Sequence, residues 1–230
     1  MAKENVKKDE ERLESIESTL SKTEMFVENN KKTITAVVIA LVIVILAIFG
    51  VKRYYMDPRN DEAMLQMFRA EQFFAADDYA TALNGDGNNL GFMDIINDYG
   101  NTKSGNLAKC YAGICYLNLG DFENAIKYLG EYKGKDAIVK PLTMGLMGDA
   151  YLELDNPAEA AKCYEKAALD SKNSFTSPMM LMKAGYSYEM VENYQKALDM
   201  YNIIKTEYPN SNEGFSVEKN IAYVEAKLGR

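Results

Sequence analysis

The chain is poor in the side chains that catalyse reactions near neutral pH. It contains no histidine, which is the usual proton-transfer group and the commonest metal ligand in proteins. The three cysteines, Cys110, Cys115 and Cys163, lack CxxC spacing, and an odd number does not form a disulfide framework. We expect buried thiols that pack as small apolar side chains, with a bridge from Cys110 or Cys115 to Cys163 as the alternative. The composition therefore predicts a protein that is not an enzyme and uses no cofactor.

Oxygen ligands cluster in a glycine-rich segment, NGDGNNLG at residues 84–91. Asp86 and the asparagines around it are the kind of ligands that calcium binds, but an EF-hand loop needs Glu at its twelfth position, and the twelfth residue from Asn84 is Ile95. A phosphate-binding loop is disfavoured because no GK[ST] follows the GDG. Glycine and asparagine are the usual residues of tight turns, so we predict a turn and no metal.

The charge balance argues against a nucleic-acid partner. The chain has 26 Lys and Arg and 34 Asp and Glu, a net charge of -8, and from Lys52 onward 19 basic residues face 26 acidic ones. Binding to phosphates needs a concentrated basic surface, which this sequence lacks. Because 47% of the residues are hydrophobic, the chain can form a sizeable core. We therefore expect a folded, acidic protein that binds no nucleic acid.

Residues 33–51 form an uncharged apolar segment, TITAVVIALVIVILAIFGV. A helix of this length measures ~28 Å, close to the hydrocarbon thickness of a bilayer. Lys31 and Lys32 precede the segment and Lys52 and Arg53 follow it, as suits lipid headgroups. The long polar stretch before it disfavours a cleavable signal peptide, and its unbroken apolar character disfavours a buried core helix. We predict a transmembrane helix that anchors the chain in a lipid bilayer.

The charges around this segment do not determine its orientation, since basic residues lie on both sides of it. Before it, residues 1–32 form a predicted N-terminal tail with seven basic and eight acidic residues. Apolar residues recur there every seven positions, at Val6, Leu13, Leu20 and Val27. The tail is therefore expected to be either a short amphipathic helix that could pair with a partner helix or a solvated, loosely helical segment.

A repeated pattern of small and aromatic residues occupies most of the remaining chain. Gly113, Gly148 and Gly185 lie 35 and 37 residues apart, and each is followed three positions later by tyrosine and twelve positions later by alanine. These offsets are typical of the tetratricopeptide repeat (TPR), a helical hairpin of about 34 residues. The small residues allow the two helices to approach closely, and aromatic side chains fill the space beside them. We predict an all-α fold: one transmembrane helix followed by a TPR α-solenoid.

The pattern also sets the expected boundaries. Tyr79 and Ala82 begin a helix that the glycine-rich segment interrupts, which indicates a divergent first repeat. A last helix should cover the apolar face of the final hairpin. The predicted domains are the N-terminal tail at 1–32, the transmembrane helix at 33–51 and the TPR domain at 52–230, with the divergent repeat at about 60–100, further repeats at about 106–134, 141–170 and 178–210, and the capping helix at about 216–228.

Two stretches make the chain similar to a known family: LNGDGNNLGFMDIINDYGNTKSGNLAKCYAGICYLNLGDF at residues 83–122 and GDAYLELDNPAEAAKCYEKA at residues 148–167. With the tail, the single span and the repeats, they resemble the ancillary TPR subunit of the bacterial Sec translocon, particularly its Bacteroidetes type. The resemblance implies an inner-membrane protein with a cytoplasmic amino terminus and a periplasmic TPR domain. It implies three kinds of partner: Sec translocon subunits, a membrane-anchored periplasmic peptidyl-prolyl isomerase, and secreted client polypeptides that a chaperone-like protein would assist as they emerge.

TPR domains usually bind proteins on the inner surface formed by the first helix of each hairpin. The matching positions here are mostly apolar and rich in methionine, which adapts to varied partners; packing between hairpins or contact with another subunit is the alternative. A clamp for a terminal carboxylate is disfavoured, because its basic candidates are limited to Lys109 and Lys183. The predicted protein-binding residues are Leu107, Ile114, Leu117, Asn118, Leu142, Asp149, Leu152, Met179, Met182, Tyr186 and Met190.

A second function stays open at this point. A TPR array anchored beside a membrane is also expected of a scaffold that coordinates cell-envelope or cell-division machinery. The two functions are both non-catalytic, and they differ in the proteins that the array would bind: Sec components in one case and peptidoglycan synthases in the other.

Overall fold

The fold is all-α, as predicted. The computed structural model describes residues 25–230; helix accounts for 80% of the structure, and the described residues contain no strand. Residues 25–29 are helical, and a π-helical turn at Lys52–Met56 separates α1 from α2. The further helices are α1 (Lys31–Val51), α2 (Asp57–Ala75), α3 (Tyr79–Asn84), α4 (Phe92–Tyr99), α5 (Lys103–Asn118), α6 (Phe122–Glu131), α7 (Val139–Glu153), α8 (Pro157–Ser171), α9 (Ser177–Met190), α10 (Tyr194–Glu207) and α11 (Asn212–Lys227).

Helix α1 contains the apolar segment predicted to span a membrane. Its most apolar 18-residue window has a mean hydropathy of 3.2, and none of that window is buried within the described residues. A core helix of a soluble protein would be mostly buried, so α1 does not have that role here. Its length and composition are those of a membrane span or of a signal sequence. The heptad pattern of Val6, Leu13 and Leu20 lies in residues 1–24, outside the described part of the chain.

The chain divides into two compact units at Asp57, and the larger unit runs from Pro58 to Arg230. Within it, each helix from α3 to α10 packs against the next one in sequence. The pairs α5/α6, α7/α8 and α9/α10 are antiparallel hairpins joined by short turns, and they stack in chain order. This is the TPR solenoid predicted from the spacing of the glycines.

The turn inside each of these hairpins has one backbone structure. Gly120, Asp155 and Glu192 follow the first helices and have φ values of 81°, 53° and 57°. The next N–H then donates to the carbonyl five residues before it, as from Asp121 to Tyr116, at 2.9 Å in all three turns. This Schellman arrangement satisfies carbonyl groups that the end of a helix leaves unpaired. The residue that donates this N–H also caps the second helix with its side chain.

The same turn identifies a further hairpin upstream. Asp77 has a φ of 58°, and the N–H of Asp78 donates to the Phe73 carbonyl at 3.0 Å. Ala70 and Ala82, both fully buried, lie seven residues before and five residues after Asp77, the offsets at which glycine and alanine lie in the later hairpins. Helices α2 and α3 therefore form a TPR-like hairpin whose second helix is only six residues long.

The segment at residues 84–91 ends α3 as a tight turn. The side-chain amide of Asn89 and the backbone N–H groups of Asn89 and Asn88 donate to Asp86 and lower the pKa of its carboxyl group. Gly85 and Gly91 meet so closely that a Cβ on Gly91 would overlap the backbone of Gly85. The carboxylate is thus used by the loop itself. Among residues 25–230, no three His, Cys, Asp or Glu side chains come together as a metal site would require.

Helices at the two ends complete the core of the solenoid. In α4, Phe92 and Ile95 are fully buried, and the Phe92 ring stacks on Tyr111 of α5 with centroids 4.9 Å apart. Helix α4 thus supplies the apolar surface that the short α3 lacks. At the other end, Val217 and Val224 of α11 are fully buried in the core that α10 shares. Helix α11 begins four residues before the position expected for a capping helix, because Ser211 caps it. The domain boundaries given above stay predictions.

Candidate protein-binding surface

The repeat glycines set the distance between the helices of each hairpin. A Cβ on Gly148 would lie 2.6 Å from the Tyr164 ring, and one on Gly113 would lie 2.5 Å from the Leu129 side chain. In the last repeat, a Cβ on Gly185 would overlap the ring of Tyr201. In each hairpin the contacted residue lies sixteen positions after the glycine. The second helix therefore fills the groove that the missing side chain leaves on the first helix.

The first helices α7 and α9 also lie side by side. The side chain of Met180 packs against Gly145, where a Cβ would overlap it. The Lys183 Nζ lies 2.7 Å from Oδ1 of Asp149 and links the same two helices. Adjacent first helices are what the predicted inner surface requires, since one ligand must touch several repeats at once.

The predicted binding residues fall into three groups by burial. Asn118, Tyr186 and Met190 are exposed, the last two by 45% and 61% of their surface. Met182 is only 9% exposed and belongs to the core, so it offers little surface to a ligand. The corresponding positions in the earlier repeats, Cys110 and Gly145, are buried too. The half-buried group, which mainly packs between hairpins, contains Leu107, Ile114, Leu117, Leu142, Asp149, Leu152 and Met179.

Asp149 joins three helices through one carboxylate. Its Oδ1 accepts hydrogen bonds from the Tyr164 hydroxyl at 2.5 Å and from Lys183 at 2.7 Å. Burial of the ring and this bond raise the pKa of Tyr164 well above its ordinary value of 10.0, so the phenol stays a neutral donor. Because both sides of the ion pair are a third or more exposed, the pair contributes little stability. Through its contact with Lys183, Asp149 links the first helices of two neighbouring repeats.

Glu189 is a second carboxylate on this surface and was not part of the predicted set. It occupies the position that Leu117 and Leu152 hold in the earlier repeats. Because both of these are apolar, the repeat pattern did not indicate a carboxylate there. The Tyr201 hydroxyl donates to its Oε1 at 2.5 Å, and burial together with this bond raises the pKa of Tyr201. Beside it, the exposed Tyr186 ring meets the Tyr201 ring edge-on at 6.2 Å. The exposed part of the inner surface in α9 is therefore aromatic and apolar, with an acidic group beneath it.

Lys109 and Lys183, the two basic candidates for a carboxylate clamp, are not free to hold an anion. Lys109 lies 3.3 Å from Glu131, and Lys183 lies 2.7 Å from Asp149. Both ammonium groups are thus partly neutralised by carboxylates of the same domain. A peptide that enters with its terminal carboxylate would have to displace these pairs in an acidic surrounding. The geometry favours ligands recognised through apolar side chains.

The three cysteines are free thiols in this structure. Burial raises the pKa of Cys110 to about 11 and that of Cys115 to about 12, and it also raises the pKa of the partly exposed Cys163. Thiols with such pKa values are protonated and poorly nucleophilic at neutral pH. Cys110 and Cys115 therefore act as the small apolar residues that the sequence predicts, and the alternative bridge to Cys163 is not formed.

A row of exposed apolar residues was missed by sequence reasoning. Leu119, Leu154 and Val191 end the first helices of the three regular hairpins and are 48%, 37% and 39% exposed. Each lies six residues after the repeat glycine. That constant offset is visible in the sequence, but apolar residues at helix ends are usually taken as packing residues.

Comparison with known proteins identifies the repeats. Two tetratricopeptide repeat family models match the chain, one at residues 110–136 and 180–211 and the other at residues 143–169. These matches coincide with the three hairpins that carry the glycine pattern. No curated protein sequence matches the chain.

Solved structures share the fold at low sequence identity. They include two forms of a Podosopora anserina protein assigned as a kinesin light chain, with nearly identical TPR-like repeats. A single-substitution variant matches at a TM-score of 0.54 and 12% identity, covering 76% of this chain and 90% of the other. The other form matches at 0.53 and 12% identity, covering 74% and 88%. At this identity the likeness concerns the fold alone.

The chain therefore contains TPR repeats arranged as a helical solenoid, together with one apolar helix that is a candidate membrane span. TPR solenoids are protein-interaction scaffolds and are generally not catalytic.

Proposed function

We propose that this protein is a membrane-anchored TPR subunit that associates with the Sec translocon and assists secreted or envelope proteins as they emerge in the periplasm. The sequence resemblance over residues 83–122 and 148–167 carries this proposal. The resemblance implies a cytoplasmic amino terminus and a periplasmic TPR domain. The role is chaperone-like and involves no catalysis.

Two features of the structure support the proposal. The unburied apolar helix α1 suits a bilayer anchor, which would keep the repeats beside a membrane channel. The exposed Tyr186 and Met190 suit emerging polypeptides of many sequences, because methionine adapts its shape and tyrosine combines an apolar ring with a polar end.

Affinity capture from membranes solubilised in mild detergent tests the partners. The tagged full-length protein should recover Sec channel subunits and a membrane-anchored peptidyl-prolyl isomerase. If neither kind of partner is recovered, the proposal is overturned. Recovery of peptidoglycan synthases in their place would favour the scaffold of cell-envelope or cell-division machinery.

Cysteine labelling tests the compartment. Ser216 is exposed on α11 and is a better site than Gly214, where a Cβ would overlap the Tyr208 carbonyl. Ser216→Cys in a Cys163→Ala background should react with a membrane-impermeant maleimide added from the periplasmic side. Labelling only after the inner membrane is permeabilised would contradict the proposed orientation. The same background without Ser216→Cys is the control.

A further inference from the structure

The exposed row of Leu119, Leu154 and Val191 lies outside the cores of the described chain. The turns that follow these residues are closed by backbone hydrogen bonds, so their side chains are not needed to end the helices. A single exposed apolar side chain is ordinary, but exposed apolar side chains at the same position of three successive hairpins form a pattern. At the opposite ends of the hairpins, the exposed Ile138 and Phe175 lie ten residues before Gly148 and Gly185, but the first regular hairpin has Lys103 at that position, so no apolar row runs through all three hairpins there.

These three residues lie on one edge of the solenoid. In a stack of antiparallel hairpins, all first helices run in the same direction, and so the turns inside the hairpins line up along one edge. We call this the turn edge; it comprises residues 75–79, 119–123, 153–157 and 191–194. With packed helices ~8–10 Å apart, the row spans roughly 20 Å, about six residues of an extended chain.

The turn edge is acidic. Its four segments hold seven Asp and Glu and no Lys or Arg, and the carbonyl ends of the first helices add partial negative charge. Basic groups reach it beside α10, where Lys227 lies 5.9 Å from the Tyr194 ring centroid and Arg230 donates to Gln195 at 3.3 Å. The seven acidic residues are Asp77, Asp78, Asp121, Glu123, Glu153, Asp155 and Glu192.

We propose that the turn edge is a docking surface for a segment of a partner protein that carries both apolar side chains and Lys or Arg. The row of Leu119, Leu154 and Val191 contacts the apolar side chains, and the carboxylates on either side of the row attract the basic ones. A second copy of this chain is a poor occupant, because two turn edges face to face would bring carboxylates together. This surface is distinct from the inner surface, and the proposal does not depend on the Sec translocon.

A peptide-binding measurement tests the inference. The probe is a fluorescein-labelled twelve-residue peptide of alternating Lys and Leu, compared with the same peptide with Glu in place of Lys. The full-length protein is held in phosphatidylcholine nanodiscs, empty nanodiscs give the background, and binding is read by fluorescence anisotropy. We expect the Lys peptide to bind at least tenfold more tightly than the Glu peptide, with affinity that falls as salt rises.

Three variants locate the binding. Leu119→Ser with Leu154→Ser and Val191→Ser should weaken the Lys peptide at least tenfold, while circular dichroism shows an unchanged fold. Glu153→Gln with Asp155→Asn and Glu192→Gln should weaken it and flatten the salt dependence. The matched control replaces three exposed apolar residues elsewhere on the solenoid, with the changes Ile138→Ser, Leu169→Ser and Phe175→Ser.

Three results would overturn the inference. One is equal binding of the Lys and Glu peptides. Another is equal weakening by the control variant. The third is a concentration-dependent dimer in sedimentation velocity that the Leu119, Leu154 and Val191 variant abolishes, since that would assign the row to a second copy. The proposed function concerns the inner surface, which none of these measurements changes. Each of the three results would therefore leave the proposed function standing.

Discussion

Glycine at one position of each hairpin determines how closely two helices pack. At Gly148, Gly185 and Gly113 the sequence offsets were enough to predict a close approach, since a residue without Cβ recurred at a regular interval beside aromatic side chains. The groups that the glycines contact were not predictable from one helix alone, because they come from the facing helix.

Gly148→Ala should destabilise the TPR domain by ~1–3 kcal/mol, because the new Cβ would lie 2.6 Å from the Tyr164 ring. Gly130→Ala is the matched control: its Cβ would lie 3.5 Å from the end of Met147, an ordinary contact, and the helix should gain ~0.5–1 kcal/mol. Urea unfolding of the full-length protein in detergent, followed by circular dichroism, measures both. Equal shifts in the two variants would contradict this account of the glycine.

Prediction of individual binding residues was less complete. Met182 was expected on the inner surface, but its position is buried in every regular hairpin, since it faces the core of the stack. Glu189 was omitted because its equivalents are leucines. Periodicity assigns a face of a helix, whereas the exposure of one side chain depends on neighbours distant in sequence. The binding role of the predicted residues therefore stays a proposal.

At the scale of elements, the turns explain what the sequence pattern could and could not predict. Gly120, Asn156 and Asn193 are turn-forming residues, so the breaks between the helices of the three regular hairpins can be read from the sequence. The hairpin of α2 and α3 was recognised only as a divergent repeat, because α3 is short and α4 completes its packing from beyond a loop. Contacts across that loop are not encoded in any local pattern.

Glu192→Gly should stabilise the third regular hairpin by ~0.5–1 kcal/mol. Glu192 has a φ of 57°, a left-handed conformation that costs a side-chain-bearing residue energy and glycine none. Part of the gain is offset because glycine adds freedom to the unfolded chain. Glu153→Gly, at the last residue of α7, is the control and should give no such gain, because Glu153 already has a helical conformation. Thermal unfolding compares them; a lower melting temperature for Glu192→Gly would show that its side chain has a stabilising contact.

At the scale of the whole molecule, buried neutral groups make the stability depend on alkaline pH. The pKa values of Cys110 and Cys115 are raised from an ordinary 9.0 to about 11 and about 12, chiefly by burial. A raised pKa means that the folded state holds the proton more tightly, so this contribution is complete below pH 9 and is lost as the pH rises towards 11 to 12. Tyr164 and Tyr201, whose pKa values are raised above 10.0, act in the same direction at higher pH.

The free energy of unfolding should therefore stay level from pH 7 to 8.5 and then fall, by about 1 kcal/mol for each of the two buried thiols at pH 10. Urea titrations at pH 7.5, 9 and 10 measure this. In a variant with Cys110→Ala and Cys115→Ala, the free energy of unfolding should fall less between pH 9 and 10, by about 1 kcal/mol for each thiol removed. An identical fall in both proteins would assign the alkaline sensitivity to other groups.

The proposed function requires that the first helices of the TPR solenoid receive polypeptides at the Sec translocon. Its most direct test is crosslinking in living cells with a photoreactive phenylalanine in place of Met190, which is 61% exposed on the inner surface. The exposed Asn202 on α10 provides the control position. We expect crosslinks from position 190 to Sec subunits or to emerging secreted proteins, and far fewer from position 202. No product at position 190, or equal products at both positions, would contradict the proposed function.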